Sequence, residues 1–222
     1  MKLRSYLLCS ALALAAPLIS GADEALALPG DWALENKAAA YRVLGPREIE
    51  LAAPANTDLF VAPDGNFARD LSPRLVTRPA KGPFVLTAKI RPGFGTRWDA
   101  GVLVLVNDPQ HFMKFCFEQD YRGTNRVVTV VCNGVGDDCN SMAVPEDAVY
   151  FRIAGSVPGN VFTCYSSADG KKWFLIRSFR LEKTDDLRVG FSAQSPAGQG
   201  CTVRFSEVSL EARALADVWE GN

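Results

Sequence analysis

From Arg47 onward, apolar residues recur at every second position or in short unbroken runs, and Gly, Pro, Asn and Asp interrupt them. Alternation sends successive side chains to opposite faces of an extended backbone, whereas a helix needs apolar positions three and four apart. The pattern predicts strands over 48–52, 74–77, 84–90, 100–106, 112–118, 126–132, 149–155, 161–167, 173–178, 187–194 and 201–210. Turns are expected at Asp64-Gly65, Asn107-Asp108-Pro109, Arg122-Gly123, Pro158-Gly159-Asn160, Asp169-Gly170 and Pro196-Ala197-Gly198, because these residue types accept tight or left-handed backbone at little cost. Strands repeating about every ten residues, with no long helical stretch, predict an all-β sandwich or barrel. The tail over 211–222 has helix-forming composition and is expected as a short helical segment.

Two of these strands are apolar on both faces: Ala100-Gly101-Val102-Leu103-Val104-Leu105-Val106 and Val127-Val128-Thr129-Val130-Val131. Such strands sit at the centre of a sheet, covered from both sides. The strand between them differs. One face of 111–118 carries His111, Met113, Phe115 and Phe117, and the other carries Phe112, Lys114, Cys116 and Glu118. A partly polar face in mid-sheet lines a groove if the sheet is curved.

Ahead of the strands, Lys2 and Arg4 precede an apolar run from Tyr6 to Ile19, followed by small residues. That layout predicts a secretory signal peptide, the run being shorter than the roughly 20 residues of a membrane span. Small residues at −3 and −1 permit cleavage before Asp23 or before Leu28, the latter preferred because the chain then starts just ahead of Pro29-Gly30-Asp31-Trp32. The expected organisation is a signal peptide over 1–27, one β-sandwich domain over 28–210 and the tail. The product would be secreted or periplasmic, with no membrane insertion after cleavage. The 195 residues that remain (222 minus 27) bury enough surface to fold without a metal or a dense disulfide framework. A net charge of −1 with both signs interspersed argues against a nucleic-acid partner.

Removing Cys9 leaves Cys116, Cys132, Cys139, Cys164 and Cys201, an odd number in an oxidising compartment. Cys132 and Cys139 flank a polar segment and would close a bridged loop. Cys164 and Cys201 lie in two expected strands and would bridge if those strands pair, leaving Cys116 as a buried thiol. No metal site and no cofactor are expected. Zinc lacks a C-x-x-C, and His111 is the only histidine. The oxygen-rich run 134–138 with Asn140 lacks the spacing of a calcium loop.

Taken in order, several segments resemble one motif set: Thr57-Asp58-Leu59-Phe60, Asp99-Ala100-Gly101-Val102-Leu103-Val104 and Phe112-Met113-Lys114-Phe115-Cys116-Phe117-Glu118. Tyr150-Phe151-Arg152-Ile153, Ser167-Ala168-Asp169-Gly170-Lys171-Lys172-Trp173 and Val189-Gly190-Phe191-Ser192-Ala193-Gln194-Ser195-Pro196 continue it. The set is similar to a domain-of-unknown-function family known as "regulation of enolase protein 1", within the concanavalin A-like lectin/glucanase superfamily. The resemblance covers roughly 31–210 and implies a jelly roll of two antiparallel sheets, with no established reaction. Two departures stand out: Phe112-Met113-Lys114 replaces the usual aromatic before Ile-Lys, and Asp137-Asp138-Cys139-Asn140-Ser141 lacks the usual tryptophan.

Candidate ligand-binding residues are Trp98, Asp99, Lys114, Glu118, Thr129 and Arg152. Lys114 and Glu118 lie about 13 Å apart along one strand face, too far to pair directly, so a neighbouring strand would supply counter-charges such as Arg152 or Asp99. Trp98 would stack on a sugar ring while Asp99 binds hydroxyls. The bland alternative makes Lys114 and Glu118 part of a solvated ion network, Trp98 an edge of the core and Asp99 a loop brace. For catalysis the candidate pair is Glu118 and Asp120, roughly 7 Å apart on an ideal strand, within the inverting-glycosidase range of about 6.5–9.5 Å. The glucanase motif Glu-x-Asp-x-x-Glu is incomplete here, and Asp120 also suits the start of a turn. The leading expectation is an exported, non-catalytic sandwich binding a carbohydrate on a concave sheet. A glycoside hydrolase or lyase, and a structural or protein-interaction domain, are the alternatives.

Overall fold

The computed structural model describes residues 26–222 and consists of strands and turns throughout. The expected signal peptide lies outside the described residues except for its last two positions, Leu26 and Ala27. Two seven-stranded antiparallel sheets pack face to face. The first runs β1 (Ala33–Glu35), β6 (Arg74–Thr77), β15 (Arg188–Gln194), β8 (Ala100–Asp108), β9 (His111–Gln119), β10 (Asn125–Asn133) and β11 (Val135–Ala143). The second runs β14 (Phe174–Arg180), β13 (Val161–Ser167), β12 (Val149–Val157), β7 (Gly82–Pro92), β16 (Gly200–Glu211), β3 (Glu48–Pro54) and β2 (Ala40–Gly45). A small hairpin, β4 (Leu59–Val61) with β5 (Ala68–Asp70), forms a separate two-stranded sheet. The architecture is the all-β jelly-roll sandwich expected of the sequence.

The inner faces meet through aromatic and branched side chains. Phe115 of β9 stacks on Phe151 of β12 with centroids 3.8 Å apart, and Phe191 of β15 meets Phe205 of β16 at 5.2 Å. Gly101 is required where the sheets close on each other, since a Cβ there would lie 2.5 Å from both Ile90 and Val203. The outer face of the first sheet is covered as well. Val102, Val104 and Val106 of β8, Phe112 and Cys116 of β9, and Val128, Val130 and Cys132 of β10 form a second apolar cluster with Leu59 and Val61 of the hairpin. Both faces of the central strands are therefore dry, which accounts for their unbroken apolar runs.

Three expectations need correction. The segment around 134–140 is a strand, β11, on the open edge of the first sheet. Its polar sequence carries no alternation because one edge and much of its surface face water. Asp137 and Asp138 point to opposite faces there and cannot converge on one cation.

The five cysteines among the described residues are free. Cys132 is opposite Gly136, and Cys139 is opposite Thr129 three positions away, so the two thiols project from opposite faces. Cys164 in β13 and Cys201 in β16 have β12 and β7 between them, a separation of about 14 Å at ordinary strand spacing against the roughly 7 Å limit for a disulfide.

The tail forms turns instead of a helix. So short a segment does not sustain an isolated helix, and its carbonyls are taken up by the second sheet. Tyr165 Oη donates to Val218 O at 2.5 Å, and Arg152 donates to Gly221 O.

Candidate functional site

Lys114 projects from the middle of β9 onto the outer face of the first sheet, opposite Val104 and Val130. The residue is 3 % exposed, and a buried ammonium is tolerable only with partners. Lys114 Nζ donates to Asp58 Oδ1 at 2.8 Å and to Gln194 Oε1 at 2.9 Å. Burial works against its charge, and Asp58 together with the neighbouring Cys116 and Glu118 outweighs burial, holding the lysine above its ordinary range. Glu118 lies two repeats of the pleat further along the same face, beyond Cys116. Gln194 Nε2 donates to Glu118 Oε2 at 3.3 Å and to Trp98 O at 3.0 Å. Burial pushes Glu118 up to about 8; Lys114 opposes the shift, and Asp138 and Asp58 add to it. At neutral pH the group is a carboxylic acid more often than a carboxylate.

The two groups that alternation placed too far apart to touch are thus joined through one amide. Gln194 comes from β15 on one side, and Asp58 from the approach to the hairpin. The hairpin is fixed where it crosses the sheet. Thr57 N donates to Ser195 O, and Leu71 N and Ser72 N donate to Asp58 O. Gly136 lets its backbone lie flat on β11, since a Cβ there would sit 2.3 Å from Val61 O.

Between hairpin and sheet a cavity of about 370 Å³ opens to solvent. Its polar lining is Asp58, Arg69, Lys114, Glu118, Asp138, Asn140 and Gln194, and its aromatic walls are Phe60, Phe67, Trp98 and Tyr121. Phe60 lies under the lysine, with Nζ 5.6 Å from the ring centroid. Asp138, on the edge strand, is pushed above its ordinary value by partial burial, an effect Lys114 opposes.

Trp98 adopts a left-handed backbone, with φ of 70°. For a bulky residue this costs on the order of 1–2 kcal/mol. Asp99 holds the strained turn in place: its Oδ2 accepts from Gly95 N and Thr96 N at 2.9 and 3.0 Å, and its Oδ1 accepts from Ser195 Oγ at 2.7 Å. Asp99 is fully buried and positions the wall without reaching the cavity.

The sequence candidates therefore separate. Trp98, Lys114 and Glu118 come together, with Asp99 behind them. Thr129 does not join them: it is opposite Phe115, so it points between the sheets, where its hydroxyl accepts from Arg177 Nη1 at 3.1 Å. Arg152 lies on the outer face of the second sheet, 3.9 Å from the Trp173 ring centroid and bonded to the tail. In place of the expected counter-charges Arg152 and Asp99, Asp58 pairs with Lys114 and the neutral amide of Gln194 bonds both Lys114 and Glu118.

Asp120 is taken up by the hairpin turn, accepting from Arg122 N, Thr124 N and Arg126 Nε at 2.8, 2.9 and 2.9 Å. Burial raises its pKa, and these bonds more than reverse that. It does not line the cavity with Glu118. Asp58, Phe67, Arg69, Asp138 and Gln194 were missed. Of these, Asp58 and Gln194 lay within the segments that carry the family resemblance, but nothing in those segments marked them as partners of Lys114 and Glu118.

The family described as "Protein of unknown function (DUF1349)" matches residues 34–213, and the chain belongs to it. No curated protein matches the chain. Among solved structures, a functionally unknown protein from Saccharomyces cerevisiae is similar with a TM-score of 0.74 at 23% identity, covering 84% of this chain and 97% of that one. A GH43 protein from Bacillus licheniformis gives a TM-score of 0.65 at 13% identity over 82% of this chain, which spans 37% of that protein. The exoplasmic/lumenal domain of VIP36, in a Ca2+/Man3GlcNAc-bound form, gives 0.50 at 10% identity over 84% of this chain and 86% of that one. At these identities the likeness is one of fold.

Proposed function

We propose that this member of the family is an exported saccharide-binding module, with its ligand held in the cavity between the β4–β5 hairpin and the first sheet. One observation carries the reading: aromatic walls surround a short line of fixed hydrogen-bonding groups in a cavity of about 370 Å³. A pyranose ring needs that combination, because its C–H face stacks on an aromatic ring while its hydroxyls require both donors and acceptors. Lys114 and the neutral acid of Glu118 donate, while Asp58 and Asn140 accept. The strained backbone of Trp98 supports the reading too, since strain of this kind collects at binding sites. The VIP36 domain, of like fold, is described in a form bound to Man3GlcNAc.

Titration calorimetry against plant and bacterial oligosaccharides tests the proposal. Binding to at least one is expected, with Trp98→Ala weakening it about tenfold or more. Silence across neutral and acidic panels alike would reject it. Export is part of the reading and rests on the charged start and apolar run ahead of Asp23. Ala27 N donates to Pro46 O at 2.8 Å, and Leu26 and Leu28 pack on the core. Cleavage before Asp23 preserves these contacts and cleavage before Leu28 removes most of them, so N-terminal sequencing of the exported protein is expected to begin at Asp23.

A second reading, cleavage of a glycosidic bond, has one observation in its favour. Glu118, held neutral to about pH 8, has the property of a general acid. Hydrolysis of a bound oligosaccharide by the wild type, abolished in Glu118→Gln with binding retained, would establish it. Binding without turnover would exclude it.

A further inference from the structure

The rim of the cavity carries a charge pattern that its floor does not predict. Three of its wall residues are partly exposed aromatics, and each has an arginine laid over it. Arg69 stands 5.2 Å from the centroid of Phe67, Arg97 4.6 Å from Trp98 and Arg122 5.4 Å from Tyr121. These pairs come from separate segments, the hairpin, the strained turn before β8 and the turn after β9; all three rings and Arg69 line the cavity, while Arg97 and Arg122 reach it only through the rings they cover.

Among the described residues none of the three arginines forms an ion pair, while nine others do. Arg69 contributes one long bond to Asn56 O at 3.3 Å. A guanidinium stacked on a ring is weakly hydrated and keeps its planar fork of N–H donors free. Two such donors match the two oxygens of a carboxylate.

The floor does not cancel this charge. Asp58 is occupied by Lys114 at 2.8 Å, and Glu118, buried beside it, takes the acid form through neutral pH. Asp138 is the one carboxylate in the lining with no cation in direct contact.

Resting on the saccharide reading of this cavity, we propose that the preferred ligand is an acidic saccharide, a uronate-bearing oligosaccharide whose ring lies against the wall aromatics and whose carboxylate is gripped by the arginines above them. The carboxylate of a hexuronate hangs from the ring edge. A sugar packed beside Trp98, Phe67 or Tyr121 therefore brings that group toward the guanidinium that covers the ring.

The test compares matched probes on the full exported protein: a neutral xylo-oligosaccharide, the same backbone bearing glucuronate, an oligogalacturonate, and a sulfated oligosaccharide of equal charge. At about 50 mM salt the glucuronate probe is expected to bind about tenfold or more tighter than its neutral parent, and the gap should narrow at about 500 mM. In the double variant Arg97→Gln/Arg122→Gln the gap should shrink at least threefold. Arg180→Gln, an equal charge loss per site on β14 of the other sheet, should leave it intact.

Equal affinity for neutral and uronate probes would overturn the inference while the saccharide reading stands. A sulfated probe binding as tightly as the uronate would overturn the carboxylate assignment. Absence of binding to every probe would remove the saccharide reading and this inference with it. Thermal melts of the variants separate lost binding from lost fold.

Discussion

On the inner face of β9, Met113, Phe115 and Phe117 meet the opposite sheet; on the outer face, Phe112, Lys114, Cys116 and Glu118 meet a hairpin of two three-residue strands. All seven are at most 8 % exposed. The inner face is filled by ring-on-ring packing. The outer face is filled only in part, and the remainder is a cavity lined by polar groups that bond one another. A sandwich has no structural need for an ammonium and a carboxyl group in that position. Replacing a buried ion pair with apolar residues of similar size is often neutral or stabilising. The difference teaches that the inner face of β9 is organised for stability, while its outer face carries a feature that stability does not explain.

Mutations can break this comparison at its strongest point. Phe115→Ala removes the ring stacked on Phe151 and is expected to cost about 3–5 kcal/mol, read by urea denaturation. Lys114→Met alone is expected to cost about 2–4 kcal/mol, because Asp58 and Gln194 lose their shared donor. The double variant Lys114→Met/Asp58→Leu should recover to within about 1 kcal/mol of wild type and still fail to bind ligand. If the double variant were as unstable as the single one, the polar outer face would be structural and the comparison would fall.

A smaller effect sharpens the same contrast. The folded state holds the Glu118 proton to about pH 8, well above the ordinary value of 4.5. Between those values the unfolded chain releases its proton first, so ionisation favours unfolding. Stability is expected to fall as pH rises from about 4.5 to about 8 and to level off above that. The drop is on the order of a few kcal/mol. Glu118→Gln should flatten the slope and make the variant the more stable protein at pH 9, by thermal melts across the range.

Much of this was legible in the sequence. The eleven expected strands all exist, because alternation and β-branched runs report burial on one or both faces. The strands that escaped notice are β1, β2, β4, β5 and β11. Two belong to a hairpin of three-residue strands, and β11 is a polar edge, so neither offers a period long enough to see.

Lys114 and Glu118 stood out because charge inside an apolar run is conspicuous. Their partners did not, since Asp58 is 56 residues from Lys114 and Gln194 is 80 residues away, and only strand order brings them together. Thr129 failed on parity: it shares a face with Phe115 and not with Lys114. The disulfide between Cys132 and Cys139 failed on the same count. Arg152 failed because nothing in a strand's own sequence says which of two sheets it joins.

The Gln194 amide has a direction. Lys114 can only donate, so the oxygen of the amide must turn toward it, and the nitrogen is then obliged to face Glu118 and the carbonyl of Trp98. With Oε2 of the acid already receiving a hydrogen, the proton of neutral Glu118 belongs on its other oxygen. One ammonium thus orients an uncharged relay and, through it, decides which atom of a distant acid is the hydroxyl. Anything entering the cavity meets a donor whose position was set from the far side of the site.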